Sequence, residues 1–453
     1  MKLNAREGLG SDRTVIEFND GLAQGEDGVR WLMLDGEDDG GSRMVMQWDL
    51  GWEPPPHLEM EPWEPFIAAF FVPIRTQEKR KTKHSHDPFL CYILHALSPP
   101  LPYLLPLNFS GMDPSEQGNA SPVDHELELK LPHLLFTKTV RELYAKIVNE
   151  WDFLKKSACQ TAAGRALWKH VIHDPLADVL AGETYLRNLH EKIKKDRHNN
   201  AREISGVILA VRTLWFDSKI EAVLDSSAGA AQVVLLGAGM DSRAYRLSCL
   251  KESDVFEVDF PEVLQVKAAL LEEALESTEH LRLMAKSLTR VAADIRENDW
   301  LEKLQISGFV PEKNTVWVLE GIIYYLSNSQ AMQVLKTVGE KCTLTHTVLL
   351  ADFMNKASTT LSSSTFHFYS DWPDHLLPSL GFSHVKLSQI GDPDAHFGLM
   401  HDPLNLFNKL RNLPRSVETH PDDGTPCCRL YLVQASGSPN QTVSLKAPSQ
   451  RSI

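Results

Sequence analysis

Apolar residues in the second half of the chain fall into short runs, and segments with helical spacing separate them. Val233–Leu236 is an apolar run that stops at Gly237, which predicts a strand buried on both faces of a parallel sheet. Further runs of this kind predict strands at 255–259, 290–293, 315–319, 346–353, 384–390 and 428–434. The alternation predicts an α/β fold with a doubly wound, Rossmann-like sheet of seven strands.

Residues 123–226, which precede this sheet, have a helical pattern. Residues 137–154 and 161–180 are rich in helix formers, and Asp174-Pro175 should end or kink the second of these helices. Ile204, Ile208, Val211 and Trp215 then lie at helical spacing, so a helix over 202–224 should bury one face. We expect a helical cap at 123–226, a sheet domain at 227–436 and a flexible tail at 437–453.

Residues 1–122 differ in composition from the rest of the chain. Acidic residues and glycine dominate at first, and a Pro54-Pro55-Pro56 run and the basic stretch 79–83 follow. This composition predicts an irregular or disordered extension. Residues 35–46 resemble a calcium loop only superficially, because Met46 stands where a bidentate glutamate is needed.

Composition and charge narrow the possible functions. The chain has 453 residues and a formal net charge of -14, which argues against a general nucleic-acid binder. The longest apolar stretch, 89–109, contains four prolines and is not expected to span a membrane. Six cysteines without CxxC spacing indicate neither a zinc site nor a disulfide framework, so we expect no metal and a reducing, cytoplasmic location.

The glycine turn after Val233–Leu236 has the form of a nucleotide-binding loop. Gly237 and Gly239 allow a tight turn, and Asp241 and Ser242 follow where a helix should begin. A dinucleotide fingerprint requires a third glycine where Ser242 stands, and the Asp241 carboxylate would repel a pyrophosphate at a helix N-terminus. S-adenosylmethionine carries an ammonium and a sulfonium but no phosphate, so this loop favours it as the cofactor.

Four motifs extend this interpretation. They are Gly-Ala-Gly-Met-Asp-Ser-Arg at 237–243, Phe-Glu-Val-Asp-Phe-Pro at 256–261, Ala-Asp-Ile-Arg at 293–296 and Leu-Glu-Gly-Ile-Ile-Tyr-Tyr-Leu at 319–326. In this order and spacing the chain resembles the leucine carboxyl methyltransferase family, roughly over 160–435. The resemblance implies a seven-stranded methyltransferase sheet with an antiparallel final strand. It also implies methyl transfer from S-adenosylmethionine to a carboxylate of a small molecule or a protein C-terminus.

The resemblance also implies roles for individual residues. Arg212 would hold the carboxylate of the cofactor, Asp294 and Ile295 would bind its adenine, and Glu320 would lie beside its methionine moiety. Asp259 would hold the ribose, and its position at a strand end about twenty residues after the glycine turn independently fits that role. Glu257, two residues earlier, is expected to be structural.

Several alternatives stay open at this point. A carboxylate acceptor needs no general base at neutral pH, whereas a hydroxyl acceptor would need one, for which His367, Tyr369 and His401 are candidates. The sequence identifies no catalytic residue. A methyltransferase-like binding or regulatory protein without turnover and a nicotinamide-dependent oxidoreductase are the rival functions. The acceptor and the oligomeric state are not defined by the sequence.

Overall fold

The computed structural model describes residues 31–34, 43–46, 128–226 and 231–439. Strands β1 (Trp31–Leu34) and β2 (Arg43–Met46) form an antiparallel pair in which Trp31 lies opposite Met46. The remainder of the predicted extension at 1–122 lies outside the described residues, as does the tail from 440 onwards. The proposed domain boundaries therefore stay predictions.

Seven strands form one sheet in the order β5-β4-β3-β6-β7-β9-β8. β3, β4, β5, β6 and β7 are parallel, while β9 lies antiparallel between β7 and β8. Their bounds are β3 Gln232–Leu236, β4 Asp254–Asp259, β5 Ser287–Ala292, β6 Thr315–Leu319, β7 Thr347–Met354, β8 His384–Gln389 and β9 Leu430–Gly437. This architecture confirms the predicted fold class, including the antiparallel strand.

The strand order creates a switch point beside β3. From β3 the chain proceeds to β4 and β5 on one side and then crosses back to β6 on the other. Because ligands of doubly wound sheets bind outside the carboxyl ends of the strands at such a point, the end of β3 is the expected binding position. All five residues of β3 and of β6 are buried, which explains why both strands are continuous apolar runs.

Five helices precede the sheet within residues 128–226. They are α1 Lys138–Glu150, α2 Phe153–Leu167, α3 Ala177–Ala181, α4 Glu183–His198 and α5 Val207–Ser226. The predicted helix at 161–180 is interrupted, as Asp174-Pro175 indicated, but the interruption begins earlier than expected: α2 already ends at Leu167 and α3 begins at Ala177. Asp174 stabilises this break, because its Oδ1 accepts the Leu176 N–H at 3.1 Å. The predicted helix start at 202 is also wrong, because Gly206 has a φ of +85° and α5 begins at the next residue.

Short helices connect the strands of the sheet. They are α6 Arg243–Arg246, α7 Pro261–Ser277, α8 Trp300–Ile306, α9 Asn328–Gly339, α10 Lys356–Thr359, α11 Pro373–Leu376 and α12 Leu406–Leu410. None of the helices within the described ranges combines the length and the apolar character needed to cross a membrane. The five cysteines that lie in those ranges are all free.

The apolar core has two parts. The larger part surrounds the sheet and includes α5, whose Trp215 and Phe216 are fully buried. The smaller part joins α1 to α4 with α7, through residues such as Leu186 and Leu270. The helices α1 to α4 of the cap therefore pack against α7, the helix that follows β4.

Candidate functional site

The glycine turn lies at the carboxyl end of β3. Gly237 and Gly239 have φ values of +70° and +45°, a region that favours glycine. A Cβ on Gly237 would lie 2.7 Å from Cγ1 of Ile322, and a Cβ on Gly239 would lie 2.9 Å from Cβ of Ala158. Both the backbone conformation and the space therefore require glycine, as the sequence predicted for a tight turn.

Asp259 ends β4 beside this turn. Its Oδ2 accepts the Gly239 N–H at 2.6 Å and its Oδ1 accepts the Phe260 N–H at 2.7 Å. Burial raises the pKa of the Asp259 carboxyl to about 6, although these two backbone bonds oppose the rise. The carboxylate is thus held in a fixed orientation, and each oxygen keeps a lone pair for a further donor.

Asp294 and Ile295 lie after β5, next to the same turn. They line a cavity that also includes Gly237, Asp259 and Phe260. Both oxygens of Asp294 accept bonds from the Arg296 guanidinium, at 2.6 to 2.9 Å. Burial would raise the pKa of Asp294, but these bonds outweigh it and lower the pKa. The carboxylate is therefore ionised, and Arg296 uses part of its capacity to accept hydrogen bonds.

Asp241 lies at the start of α6, where it was predicted to stand. Its Oδ1 accepts the Arg243 N–H at 2.7 Å, and its Oδ2 is bonded to the Arg243 guanidinium. Burial alone would raise the pKa of Asp241, but the charges of Arg243 and neighbouring bases lower it to about 2. Ser242 occupies the N-cap position of α6, but its side chain does not cap the helix, because its hydroxyl donates to Oδ2 of Asp174 at 2.5 Å.

Glu320 ends the strand β6 and lies between two arginines. Arg212 Nε donates to its Oε1 at 3.1 Å, and Arg243 Nη2 donates to its Oε2 at 2.7 Å. Arg212, on α5, is only 3% exposed. Its Nη1 also donates to Asp352 Oδ2 at 3.3 Å and to the Tyr324 hydroxyl at 3.2 Å. The two predicted ligands Arg212 and Glu320 are thus paired with each other.

All eight predicted cofactor-binding residues line two adjoining cavities. The larger is a cleft of about 770 Å³, counting the part open to solvent, and it is bordered by Arg212, Gly237, Gly239, Asp241, Asp259 and Glu320. The smaller contains Asp294 and Ile295 and shares Gly237 and Asp259 with the cleft.

The three candidate bases lie elsewhere. His367, Tyr369 and His401 are exposed, and none of them borders the described cavities at the glycine turn. Among the described residues, no group of three or more histidine, cysteine or acidic side chains is arranged to hold a metal ion.

Sequence reasoning missed several buried charges of this site. Arg243 contacts three carboxylates, because its Nε also donates to Asp217 Oδ1 at 2.7 Å. Arg165 on α2 donates to Asp174 at 2.7 Å and to the Met240 carbonyl at 2.5 Å, which fixes the cap to the glycine turn. Asp352 is fully buried in β7 and accepts the Gly321 N–H at 2.7 Å. One signal was present in the sequence, since Asp352 is a lone charge within an apolar strand.

Glu257 is structural, as expected from its position. It is fully buried, its Oε1 lies 2.7 Å from Lys267 Nζ, and its Oε2 accepts a bond from Arg290 at 3.1 Å. These partners join β4 to α7 and β5, and Glu257 does not border the cleft.

Comparison with known proteins adds independent information. A protein of Mycobacterium leprae, named "Putative S-adenosyl-L-methionine-dependent methyltransferase", is 36% identical over 135 residues, which are 30% of this chain and 42% of that protein. A protein of Frankia alni with the same designation is 41% identical over 129 residues, which are 28% of this chain and 43% of that protein. The chain spans about two fifths of the length of these curated relatives.

A solved structure and a family model complete the comparison. A DUF574 family protein from Streptomyces avermitilis aligns with a TM-score of 0.36 at 11% identity, over 57% of this chain and 94% of that one. Residues 158–339 match the family model described as leucine carboxyl methyltransferase. This match confirms the resemblance seen in the four motifs. Over residues 158–339 the chain is therefore similar to the leucine carboxyl methyltransferase family.

Proposed function

We propose that this protein binds S-adenosylmethionine in the cleft at the end of β3 and transfers the methyl group to a carboxylate. The observation that carries the proposal is the gathering of eight residues from five separate segments at one edge of the sheet. The cofactor is a cation with adenine, ribose and amino-acid parts, and the site offers a separate group for each part.

Each chemical part of S-adenosylmethionine has a candidate partner among the residues of the site. Asp294 and Ile295 supply an acceptor and an apolar surface for adenine, and Asp259 supplies acceptors for the ribose hydroxyls. Glu320 supplies an acceptor for the ammonium, and Arg212 is the candidate partner of the carboxylate. The carboxylate of Asp241 lies at the start of α6 and is bonded to the Arg243 guanidinium. A pyrophosphate at this position would lie against a carboxylate, which disfavours a dinucleotide as the ligand.

A carboxylate acceptor agrees with the residues around the cleft. A carboxylate oxygen forms its bond to the methyl carbon with its own lone pair, and the electron pair of the broken S–CH₃ bond stays on sulfur. No proton moves, so no general base is needed. The described cavities at the glycine turn contain no histidine, which agrees with a reaction whose main requirements are orientation and exclusion of water.

Two measurements test this function. Calorimetric titration of the purified chain with S-adenosylmethionine and, separately, with NAD should show binding of the first alone. Incubation with methyl-labelled cofactor and a cell extract should give products that lose their label in mild base, because methyl esters hydrolyse there and methyl ethers and methylamines do not. Exclusively base-stable products would contradict a carboxylate acceptor, and absence of binding would contradict the cofactor.

A further inference from the structure

A third cavity adjoins the cleft at the end of β3. It is lined by Phe153, Ser157, Gln160, Thr161, Leu209, Arg212, Gly321, Tyr324 and Tyr325. It shares Ser157, Thr161, Arg212 and Gly321 with the cleft but no residue with the cavity around Asp294. The third cavity thus adjoins the Arg212 side of the cleft, opposite the side proposed for adenine.

Gln160 is the unusual residue of this third cavity. It lies on α2 and is only 5% exposed, yet its Nε2 is buried and has no hydrogen-bond partner among the described residues. Leaving a buried amide donor unpaired is energetically costly. Such a donor at the wall of a cavity is explained if a ligand supplies the missing acceptor.

The neighbouring hydroxyls on α2 do not take the same role. Ser157 Oγ donates to the Leu154 carbonyl at 2.6 Å, and Thr161 Oγ1 donates to the Ser157 carbonyl at 3.1 Å. Their protons are used within the helix, whereas the Gln160 amide nitrogen has no acceptor among the described residues. Phe153 and Leu209 add apolar wall to the same cavity.

We infer that Gln160 binds the acceptor substrate, by donating a hydrogen bond to one oxygen of its carboxylate in the third cavity. This inference rests on the proposed function, because it assumes a carboxylate acceptor beside the methionine end of the cofactor. A bond from the amide to one oxygen leaves the other oxygen to react. It also fixes the angle at which that oxygen approaches the methyl group.

Two substitutions of Gln160 test the inference. Gln160→Met keeps the approximate size and removes both donors, while Gln160→Glu places a negative charge against the acceptor. Neither should change the affinity for S-adenosylmethionine in a calorimetric titration, and this result also shows that the fold is intact. Base-labile transfer from labelled cofactor to a cell extract should fall about tenfold to hundredfold in Gln160→Met, the range expected for a hydrogen bond to a charged group. The loss should be larger in Gln160→Glu.

Asn188→Leu is the matched control. Its Nδ2 is another buried donor without a partner among the described residues, but it lies on α4 and borders none of these cavities. Base-labile methyl transfer should be unaffected in the Asn188→Leu variant. Wild-type rates in both Gln160 variants would overturn the inference and leave the proposed function standing. A wild-type protein that binds the cofactor but gives only base-stable products would overturn the carboxylate acceptor itself, and the inference with it.

Discussion

Nη2 of Arg243 lies 2.7 Å from Oε2 of Glu320, so the segment after the glycine turn is bonded to the end of β6. The same guanidinium contacts Asp241 and Asp217, and all three carboxylates are largely buried. The positive charge of Arg243 and the three carboxylates around it therefore compensate one another at the floor of the cleft. Through Glu320, this group of charges links the glycine turn to the end of β6.

Replacement of Arg243 should destabilise the protein strongly. Arg243→Met leaves three carboxylates short of a partner, and breaking a buried ion pair in this way costs about 3–5 kcal/mol. Chemical denaturation measures the change. Arg187→Met is the control, because Arg187 forms an exposed pair with Glu183 on one helix turn, which should contribute at most about 0.5 kcal/mol. Equal effects of the two changes would show that the Arg243 cluster is not a structural centre.

Cofactor affinity should depend on pH through Asp259. Since burial raises the pKa of this carboxyl to about 6, its charged form predominates above that pH and is lost as the pH falls through it. Affinity for S-adenosylmethionine should therefore decrease from about pH 7 to about pH 5. Asp259→Asn should bind more weakly by about 1–3 kcal/mol at neutral pH and lose this dependence. Parallel calorimetric pH profiles check this, and identical profiles would remove Asp259 from the site.

Gly237→Ala should lower both stability and cofactor affinity. The φ of +70° strains any L-residue, and the new Cβ would also press on Ile322. Gly308→Ala separates these effects, because Gly308 has a φ of +102° but nothing within 4 Å of an added Cβ. We expect about 1–2 kcal/mol of destabilisation in the control and more in Gly237→Ala. Thermal unfolding and calorimetry give the two quantities, and equal losses would mean that Ile322 moves aside freely.

Arg212→Lys should impair cofactor binding while the fold stays intact. Lysine keeps the charge near Glu320 and Asp352 but loses the planar fork that reaches several acceptors at once. A decrease in affinity of about tenfold, with a small shift in melting temperature, is the expected result. The Arg212→Ala variant should in contrast be strongly destabilised, because it leaves the buried Asp352 carboxylate without an opposite charge. Unchanged affinity in the lysine variant would assign Arg212 a purely structural role.

The seven strands of the sheet could be predicted from the sequence. Buried parallel strands such as β3 and β6 are apolar throughout, so their positions were evident to within one or two residues. Helix ends were less accurate, because they depend on tertiary contacts. Asp174-Pro175 indicated an end or kink in the second helix, but the end of α2 at Leu167 and the bond from the Leu176 N–H to the Asp174 carboxylate do not follow from helix propensity.

The sequence predicted which residues would gather at the candidate site, but not which of them would pair with one another. Residues at strand ends gather by topology, which is why Asp259, Asp294 and Glu320 were found from motifs and spacing. The partners of a charge depend on the folded geometry. Arg243 bonds Asp217 across 26 positions and Glu320 across 77, and no local pattern encodes these separations.

The position of β9 has a consequence for how the protein is made. β9 lies between β7 and β8, and Leu430 is paired with Met354 while Gly437 is paired with Thr347. Ribosomal synthesis proceeds from the N-terminus, so β7 and β8 leave the exit tunnel long before the strand that joins them. Until residues 430–437 emerge, both present unpaired backbone groups and apolar side chains to other nascent chains. We expect the cell to need chaperones most during that interval.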